Sequence, residues 1–553
     1  MAQTLTLARP ARNLRPYLWL ALPLLVLATL FFYPLLLIAE QALRDASGNL
    51  SLETFWQVID SKRFIGALLN TLQIAVFATL GCLVLGSVLA LILVFIPFPG
   101  SQLVGRVIDT FIALPTFLIT LAFTFIYGSA GLLNGTLMAL FAFELPPVDF
   151  LYSINGVILA EITVFTPLVM RPLMAGLRQI DKSQLEAASI LGAHPLRVIT
   201  QVIFPAALPA LMAGGSLCLL LTTNEFGIVL FIGAKGGQYP ADDGLQQGDS
   251  GVGLQRGLHD CADQYSAVAG AVYALSAGGG AHRRKELTML IWSRKGRAAA
   301  GALAVTLFAG VFLLPLAVIL LSSLSKQWNG LLPTGFTFAH FVNAFRGAAW
   351  DSLFSSLMVG FCASLLALLC GMWAALALRQ YGATLQKYLG LAFYLPSAIP
   401  SVSVGLGILV AFSQGPLQMN GTFFIVLAAH FVLISAFTFS NVTTGLARIS
   451  ADIENVASSL GASPWYRLRH VTLPLMTPWM ISALALSLSL SMGELGATVM
   501  IYPPGWTTLP VTIFSLTDRG NIADGSALTI VLVGVTLLLM MKLERIARRL
   551  SQR

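Results

Sequence analysis

Long apolar runs alternate with short polar connections along almost the whole chain, and basic residues collect at one set of connections. About 20 consecutive apolar residues suffice to cross a bilayer as a helix. Such runs lie near 17–38, 67–95, 108–126, 151–173 and 206–232, and again near 298–321, 353–378, 388–412, 423–439, 479–501 and 528–541. The run at 132–143 is too short to span and is expected at the outer surface or as a re-entrant segment. A signal peptide is the alternative for the first run, but its core would hold only about 7–15 residues. Arg9, Arg12 and Arg15 precede that run, and Lys542, Arg545, Arg548 and Arg549 follow the last. Basic flanks mark the cytoplasmic side, so both termini are expected there, with the polar stretch 41–64 outside. The pattern predicts an all-α polytopic membrane protein, with six spans in the second half and five clear ones in the first.

Composition agrees. Apolar residues make up 57% of the 553 and charged residues 10%, against about 25% charged in a soluble domain. The net charge of +8 reflects span flanks such as Arg106, Arg171, Arg178, Lys182, Arg294, Lys295 and Arg297, so no nucleic-acid partner is implied. Cys82, Cys218, Cys261, Cys362 and Cys370 show no metal spacing, and four of them lie in apolar runs, where cysteine serves as a small hydrophobe. No metal or other cofactor is expected. There is no phosphate-binding loop motif, no H-E-x-x-H and no G-x-S-x-G. The histidines are scattered, so no catalytic residues are nominated and the chain is not expected to be an enzyme.

One polar stretch occurs twice. Glu186-Ala187-Ala188-Ser-Ile-Leu-Gly192-Ala-His-Pro195 returns as Asn455-Val456-Ala457-Ser-Ser-Leu-Gly461-Ala-Ser-Pro464, displaced by 269 positions. The same displacement pairs Pro205 with Pro474, Pro209 with Pro478, Glu225 with Glu494 and Gly227 with Gly496. So long an ungapped match indicates an internal repeat. The alanines favour helix, the glycine suits a left-handed helix end, and Pro195 and Pro464 suit the first turn of a second short helix. A polar helix–turn–helix between two spans is expected; the plainer reading is an ordinary solvated loop.

This element resembles the "EAA" loop of ABC importer permeases. The second copy departs from the pattern: Asn455 stands where Glu is usual, Val456 replaces the first Ala, and Glu454 lies one residue early. The resemblance implies two tandem permease cores of about six spans each, facing one another about a pseudo-two-fold axis. It also implies an ATPase subunit dimer docking from the cytoplasm on Glu186, Ala187, Ala188, Gly192, Glu454, Ala457 and Gly461. A periplasmic binding protein would deliver a small molecule across the bacterial inner membrane, with the lipid bilayer as solvent. Within the family, Met289-Leu-Ile-Trp-Ser, Tyr394-Leu-Pro-Ser-Ala-Ile-Pro-Ser-Val-Ser-Val-Gly405 and Ile501-Tyr-Pro-Pro-Gly-Trp-Thr-Thr-Leu-Pro510 resemble the 2-aminoethylphosphonate permeases. Ferric-iron, thiamine and polyamine permeases share the core and are the alternatives. A proton-coupled secondary transporter is a more remote one, because it has no use for two such loops.

Ionisable groups inside spans are costly and are therefore candidates for function. Glu225, beside Asn224, and Glu494, near Ser491, could line a pathway or hold the halves together. The plainer expectation is an interhelical hydrogen bond with no substrate contact. Glu161 and His430 are also equivalent at 269, and could meet across the axis or each take a separate hydrogen bond.

Three segments are expected: a first permease unit at 1–236, an aberrant linker at 237–288 and a second unit at 289–553. In the linker Asp242, Asp243, Asp249, Asp260 and Asp263 appear abruptly. Back-translating 238–247 and shifting forward one nucleotide permits a Thr-Leu-Pro that aligns with Thr508-Leu509-Pro510 at 269. The same shift over 266–278 permits an apolar run, a sixth span for the first half. Arg284-Lys285-Glu286 can be encoded by a purine-rich ribosome-binding sequence ahead of Met289. Two reading frames joined by a frameshift would explain the segment; a natural linker of Gly, Asp and Gln is the alternative.

Overall fold

The computed structural model describes residues 15–44, 48–96, 98–111, 114–129, 131–232, 293–328, 333–413 and 417–551. The segment 237–288, and with it the expected sixth span of the first half, lies outside the described residues.

The first half comprises α1 (Arg15–Leu27), α2 (Tyr33–Ala42), α3 (Glu53–Ile59), α4 (Lys62–Phe95), α5 (Ser101–Phe111), α6 (Phe117–Tyr127), α7 (Leu132–Phe141), α8 (Ile154–Leu177), α9 (Lys182–Ile190), α10 (Pro195–Val198), α11 (Phe204–Thr223) and α12 (Gly227–Ile232). The second half has α13 (Arg294–Phe308), α14 (Leu314–Ser323), a hairpin of β1 (Ser325–Gln327) and β2 (Thr334–Phe336), then α15 (Ala339–Ala344), α16 (Gly347–Leu378), α17 (Ala383–Tyr394) and α18 (Ser401–Ser413). It continues with α19 (Phe423–Ala447), α20 (Ala451–Ser459), α21 (Pro464–Arg467), α22 (Leu473–Met492), α23 (Gly496–Ile501), α24 (Leu509–Asp518) and α25 (Ile522–Ser551). Among the described residues ten runs are long and apolar enough to cross a membrane, or eleven with one bent pair. The protein is a multi-pass, all-α membrane protein.

From α8 onward the halves superpose in sequence at 269, helix for helix: α9 with α20, α11 with α22, α12 with α23. Upstream, α5 and α17 end at positions 283 apart. The change of register reflects extra chain in the first half, where α7 stands between α6 and α8. With α6 it forms the single run Phe117–Phe141, so the stretch expected to be too short to span extends a neighbouring one.

Proline shapes the spans. Four π-turns, Ala28–Phe32, Ile199–Ile203, Ala309–Leu313 and Leu468–Thr472, each end two residues before a proline: Pro34, Pro205, Pro315 and Pro474. A proline lacks the N–H of the regular ladder, and one wide turn absorbs the mismatch without ending the helix. The short helices α10 and α21 therefore run on into α11 and α22 as continuous 29-residue spans, Pro195–Thr223 and Pro464–Met492, where the sequence pattern gave separate pieces. The expected single span at 388–412 is bent by 99° between Ala383–Ala398 and Ser401–Ser413, at Pro396 and Pro400.

The first spans change sides. Leu20, Leu27 and Phe31 belong to the same buried cluster as Val359, Ile408 and Phe431 of the second half, and the Trp373 indole N–H donates to the Trp19 carbonyl at 2.7 Å. Reciprocally, Phe308, Phe312 and Ile319 are buried with Leu89, Ile108 and Val157 of the first half. The Phe111 and Phe312 rings meet edge to face at 5.0 Å. Each half thus clasps the other's core with its first span.

Candidate functional site

Both copies of the repeated loop fold alike. The Asp181 carboxylate accepts the Ser183 N–H at 3.1 Å and starts α9; the Ser450 hydroxyl accepts the Asp452 N–H at 3.2 Å and starts α20. Gly192 and Gly461 take φ of +75° and +85°, the left-handed region open to glycine at no steric cost. Gly192 N–H donates to the Ser189 carbonyl and Ala193 N–H to the Ala188 carbonyl, both at 3.0 Å. Gly461 to Ser458 and Ala462 to Ala457 repeat this pair at 3.0 Å. The crossed pair is a Schellman C-cap. Pro195 and Pro464 then open the next helix behind His194 and Ser463, which accept the Leu196 and Tyr466 N–H groups.

The turns carry apolar side chains into the open. Ile190 and Leu191 are each 85% exposed and Leu460 83%; Leu196, Val456 and Trp465 are exposed beside them. Glu186, Ala187 and Asn455 lie on the exposed faces, with Ala188 and Ala457 half-buried. An unpaired apolar surface rimmed by polar residues is the character of a docking site.

Glu454 differs from the other loop residues. It is half-buried, accepting from Arg379 Nη1 at 3.1 Å and Nη2 at 3.4 Å and from the Thr472 hydroxyl at 2.9 Å. Its counterpart Leu185 is buried with Val198 and Ile203. Glu454 therefore ties α20 to the end of α16 and to the π-turn before α22. Arg379 and Thr472 were missed from the sequence; the available signal was the paired replacement of Leu185 by Glu454 and of Ile203 by Thr472 at the repeat offset.

The second constellation lies where spans break. Helix α11 stops at Thr223 and α12 starts at Gly227. In the gap, Glu225 Oε1 accepts the Ile228 N–H and the Thr116 hydroxyl, each at 3.0 Å. In the second half Glu494 Oε1 accepts the Ala497 N–H at 2.8 Å, and Ser401 stands beside that carboxylate. Each glutamate thus caps a short helix whose first donors would otherwise be orphaned. The expected spans at 206–232 and 479–501 are broken at these caps. Both glutamate side chains are half-buried. The halves meet here: a side chain at Gly496 would contact Phe226, and one at Gly493 would contact Pro115.

Asn224 is half-buried next to Glu225. Ser491 is buried and turned away, its hydroxyl bonded to His430 Nδ1 at 2.7 Å, while His430 Nε2 bonds Thr498 at 2.9 Å. Both ring nitrogens are used within the second half. Glu161 is buried, and its Oε2 has no hydrogen-bond partner among the described residues.

The model of the family described as binding-protein-dependent transport system inner membrane component matches residues 82–325 and again 367–553. The chain belongs to this family. The permease is 83% identical over 265 residues to PhnV of Salmonella paratyphi A, a protein named for 2-aminoethylphosphonate transport, covering 48% of this chain and 100% of that one. It is 86% identical over 236 residues to PhnU of Salmonella typhimurium, named for the same transport system, covering 43% of this chain and 82% of that one. Among solved structures it is similar to a bacterial ABC transporter involved in import of the acidic polysaccharide alginate, at 18% identity and TM-score 0.39, over 46% of this chain and 96% of that one.

Proposed function

We propose that this transport permease moves 2-aminoethylphosphonate into the cytoplasm of a bacterium as the membrane part of an ATP-driven importer. The observation that carries the substrate is that two different relatives, PhnV and PhnU, are both named for that compound and both exceed 80% identity. Their matched lengths, 265 and 236 residues, are those of 289–553 and 1–236. This supports a chain of two permease units joined through 237–288, each unit corresponding to one subunit of a two-subunit permease.

In this reading an ATPase dimer docks from the cytoplasm on the two loops at Glu186–Pro195 and Glu454–Pro464, through Ile190, Leu191 and Leu460. Both termini are cytoplasmic, the membrane is the inner one, and a periplasmic binding protein delivers substrate to the opposite face. ATP-driven closure of the dimer moves the loops, and the continuous helices α10–α11 and α21–α22 carry that movement into the bilayer. The central break at Glu225 and Glu494, with Asn224 alongside, lines the pathway. The chain's own contribution is a difference in stability between inward-open and outward-open states, since a ligand binding both equally shifts nothing. The chain performs no covalent chemistry.

The test is a reconstituted assembly of permease, ATPase and binding protein. Binding protein loaded with 2-aminoethylphosphonate should stimulate ATP hydrolysis several-fold, whereas ferric iron, thiamine and spermidine should not. Stimulation by one of those three alone would overturn the substrate assignment.

A further inference from the structure

The two halves hold their loop helices by different means, and the difference comes with a cavity. In the first half α9 is fastened by apolar contacts of Leu185, Val198 and Ile203 with Phe95 and Leu177. In the second half the corresponding fastening is ionic, through the Arg379–Glu454–Thr472 cluster. Arg379 also lines a cavity of about 540 Å³ between the end of α16, the face of α17 and the end of α19. The volume falls within the range of small-molecule sites, roughly 300–1,000 Å³.

The cavity wall on α17 is one helical face: Ala383, Gln386, Lys387, Gly390, Leu391 and Tyr394 recur at the three- and four-residue spacing that places side chains together. Deeper in, the Tyr394 hydroxyl and Thr443 Oγ1 lie 3.2 Å apart. At the equivalent places in the first half, 283 positions earlier, stand Ile96 for Arg379, Val104 for Lys387, Val107 for Gly390 and Phe111 for Tyr394. Ile96, Val104 and Phe111 are buried in the core there. At these positions the second half has two cations, one hydroxyl and a glycine where the first half has hydrophobes.

We infer that this cavity is a binding site for a phosphate- or phosphonate-bearing anion, held between Arg379 and Lys387, that competes with Glu454 for the Arg379 guanidinium. A guanidinium offers five N–H donors in a planar fork matched to such oxygens, and a lysine adds a compact second charge. In this structure Glu454 takes the fork. An arriving phosphate or phosphonate group presents its oxygens to both basic side chains, and each bond it takes from Arg379 loosens the hold on α20. The site thereby connects an anion on this side of the bilayer to the second loop. That consequence rests on the docking role proposed above; binding to the cavity does not.

The test uses the full chain in nanodiscs with no ATPase present, so failure of the docking role leaves it unaffected. In phosphatidylcholine discs, radiolabelled inorganic phosphate and 2-aminoethylphosphonate are titrated by equilibrium dialysis. In discs containing phosphatidylglycerol, retained lipid is counted by native mass spectrometry. Binding in the first arm identifies a free anion, and retention in the second alone identifies a lipid headgroup. In whichever arm binds, Lys387→Gln should weaken affinity about tenfold, Lys387→Arg should restore it, and Glu454→Gln should tighten it about tenfold by removing the competitor, tenfold being the scale of one charge-assisted bond. No binding in either arm, or binding that Lys387→Gln and Glu454→Gln leave unchanged, overturns the proposal.

Discussion

Gly461 ends α20 with φ +85° and nothing within 4 Å of the place a side chain would occupy. Space is available there, so the objection to any other residue is conformational. Gly461→Ala should cost about 1 kcal/mol at the turn, from forcing an L side chain into the left-handed region. Gly461→Pro forbids that φ outright. The same holds for Gly192. Either proline variant should reach the membrane at normal levels yet lose coupling between ATP hydrolysis and uptake; unaltered uptake per ATP in both would remove the turns from the coupling path. Glu225 makes a different kind of prediction. Glu225→Ala exposes the orphaned N–H of Ile228, at about 1 kcal/mol for a lost helix cap, while Glu225→Gln keeps an accepting oxygen. The alanine variant should therefore unfold at a lower temperature than the glutamine variant in a detergent melt, and equal melting would show that the cap contributes nothing. The glycine turns were legible because glycine and proline impose backbone geometry locally. The direction of Glu454 was not, because that depends on Arg379, 75 residues away.

At the scale of elements, hydropathy located the spans but not their interruptions. A buried helix break needs partners for its orphaned donors, and the partner at Asn224–Phe226 is the side chain of Glu225 itself, a residue equally at home inside a helix. The π-turns are concealed for a similar reason: proline at 205 or 474 reads as a helix start, whereas one wide turn lets the helix continue through it. The exchange of first spans was likewise invisible, since apolar periodicity reports that a face is buried and not which half buries it. That exchange is testable. Pro34 Cβ lies 3.3 Å from where a Cβ at Gly407 would stand, near the spacing of about 3.8 Å for bridged cysteines. With 1–236 and 289–553 produced as separate chains, Pro34→Cys and Gly407→Cys should oxidise to a covalent pair in the membrane. Failure to cross-link, with both chains inserted, would show that the first spans pack on their own halves.

For the molecule as a whole, the repeat gives two loops at one end of the spans and two carboxylate-capped breaks where the halves meet, joined by the continuous helices α10–α11 and α21–α22. Movement imposed at Gly192 and Gly461 has a direct route to Glu225 and Glu494. The symmetry is incomplete. An apolar fastening holds the first loop and an ionic one holds the second, so the halves need not respond alike to salt. Uptake should decline as ionic strength rises on the loop side, through the partly exposed Arg379–Glu454 pair, and Glu454→Leu with Thr472→Ile and Arg379→Ile, which copies the first half, should flatten that dependence. An unchanged salt response would locate the sensitivity elsewhere.

The measurement that bears most directly on the central claim is uptake of labelled 2-aminoethylphosphonate by cells that lack their own permease and carry the partner ATPase and binding protein. They would express this chain or, on the proposal that 237–288 joins two reading frames, its two units as separate, frame-repaired proteins. The account predicts ATP-dependent uptake by the repaired pair, abolished by Gly192→Pro with Gly461→Pro, and uptake by the single chain if 237–288 is tolerated. No uptake from either, with both forms present in the membrane, would contradict it.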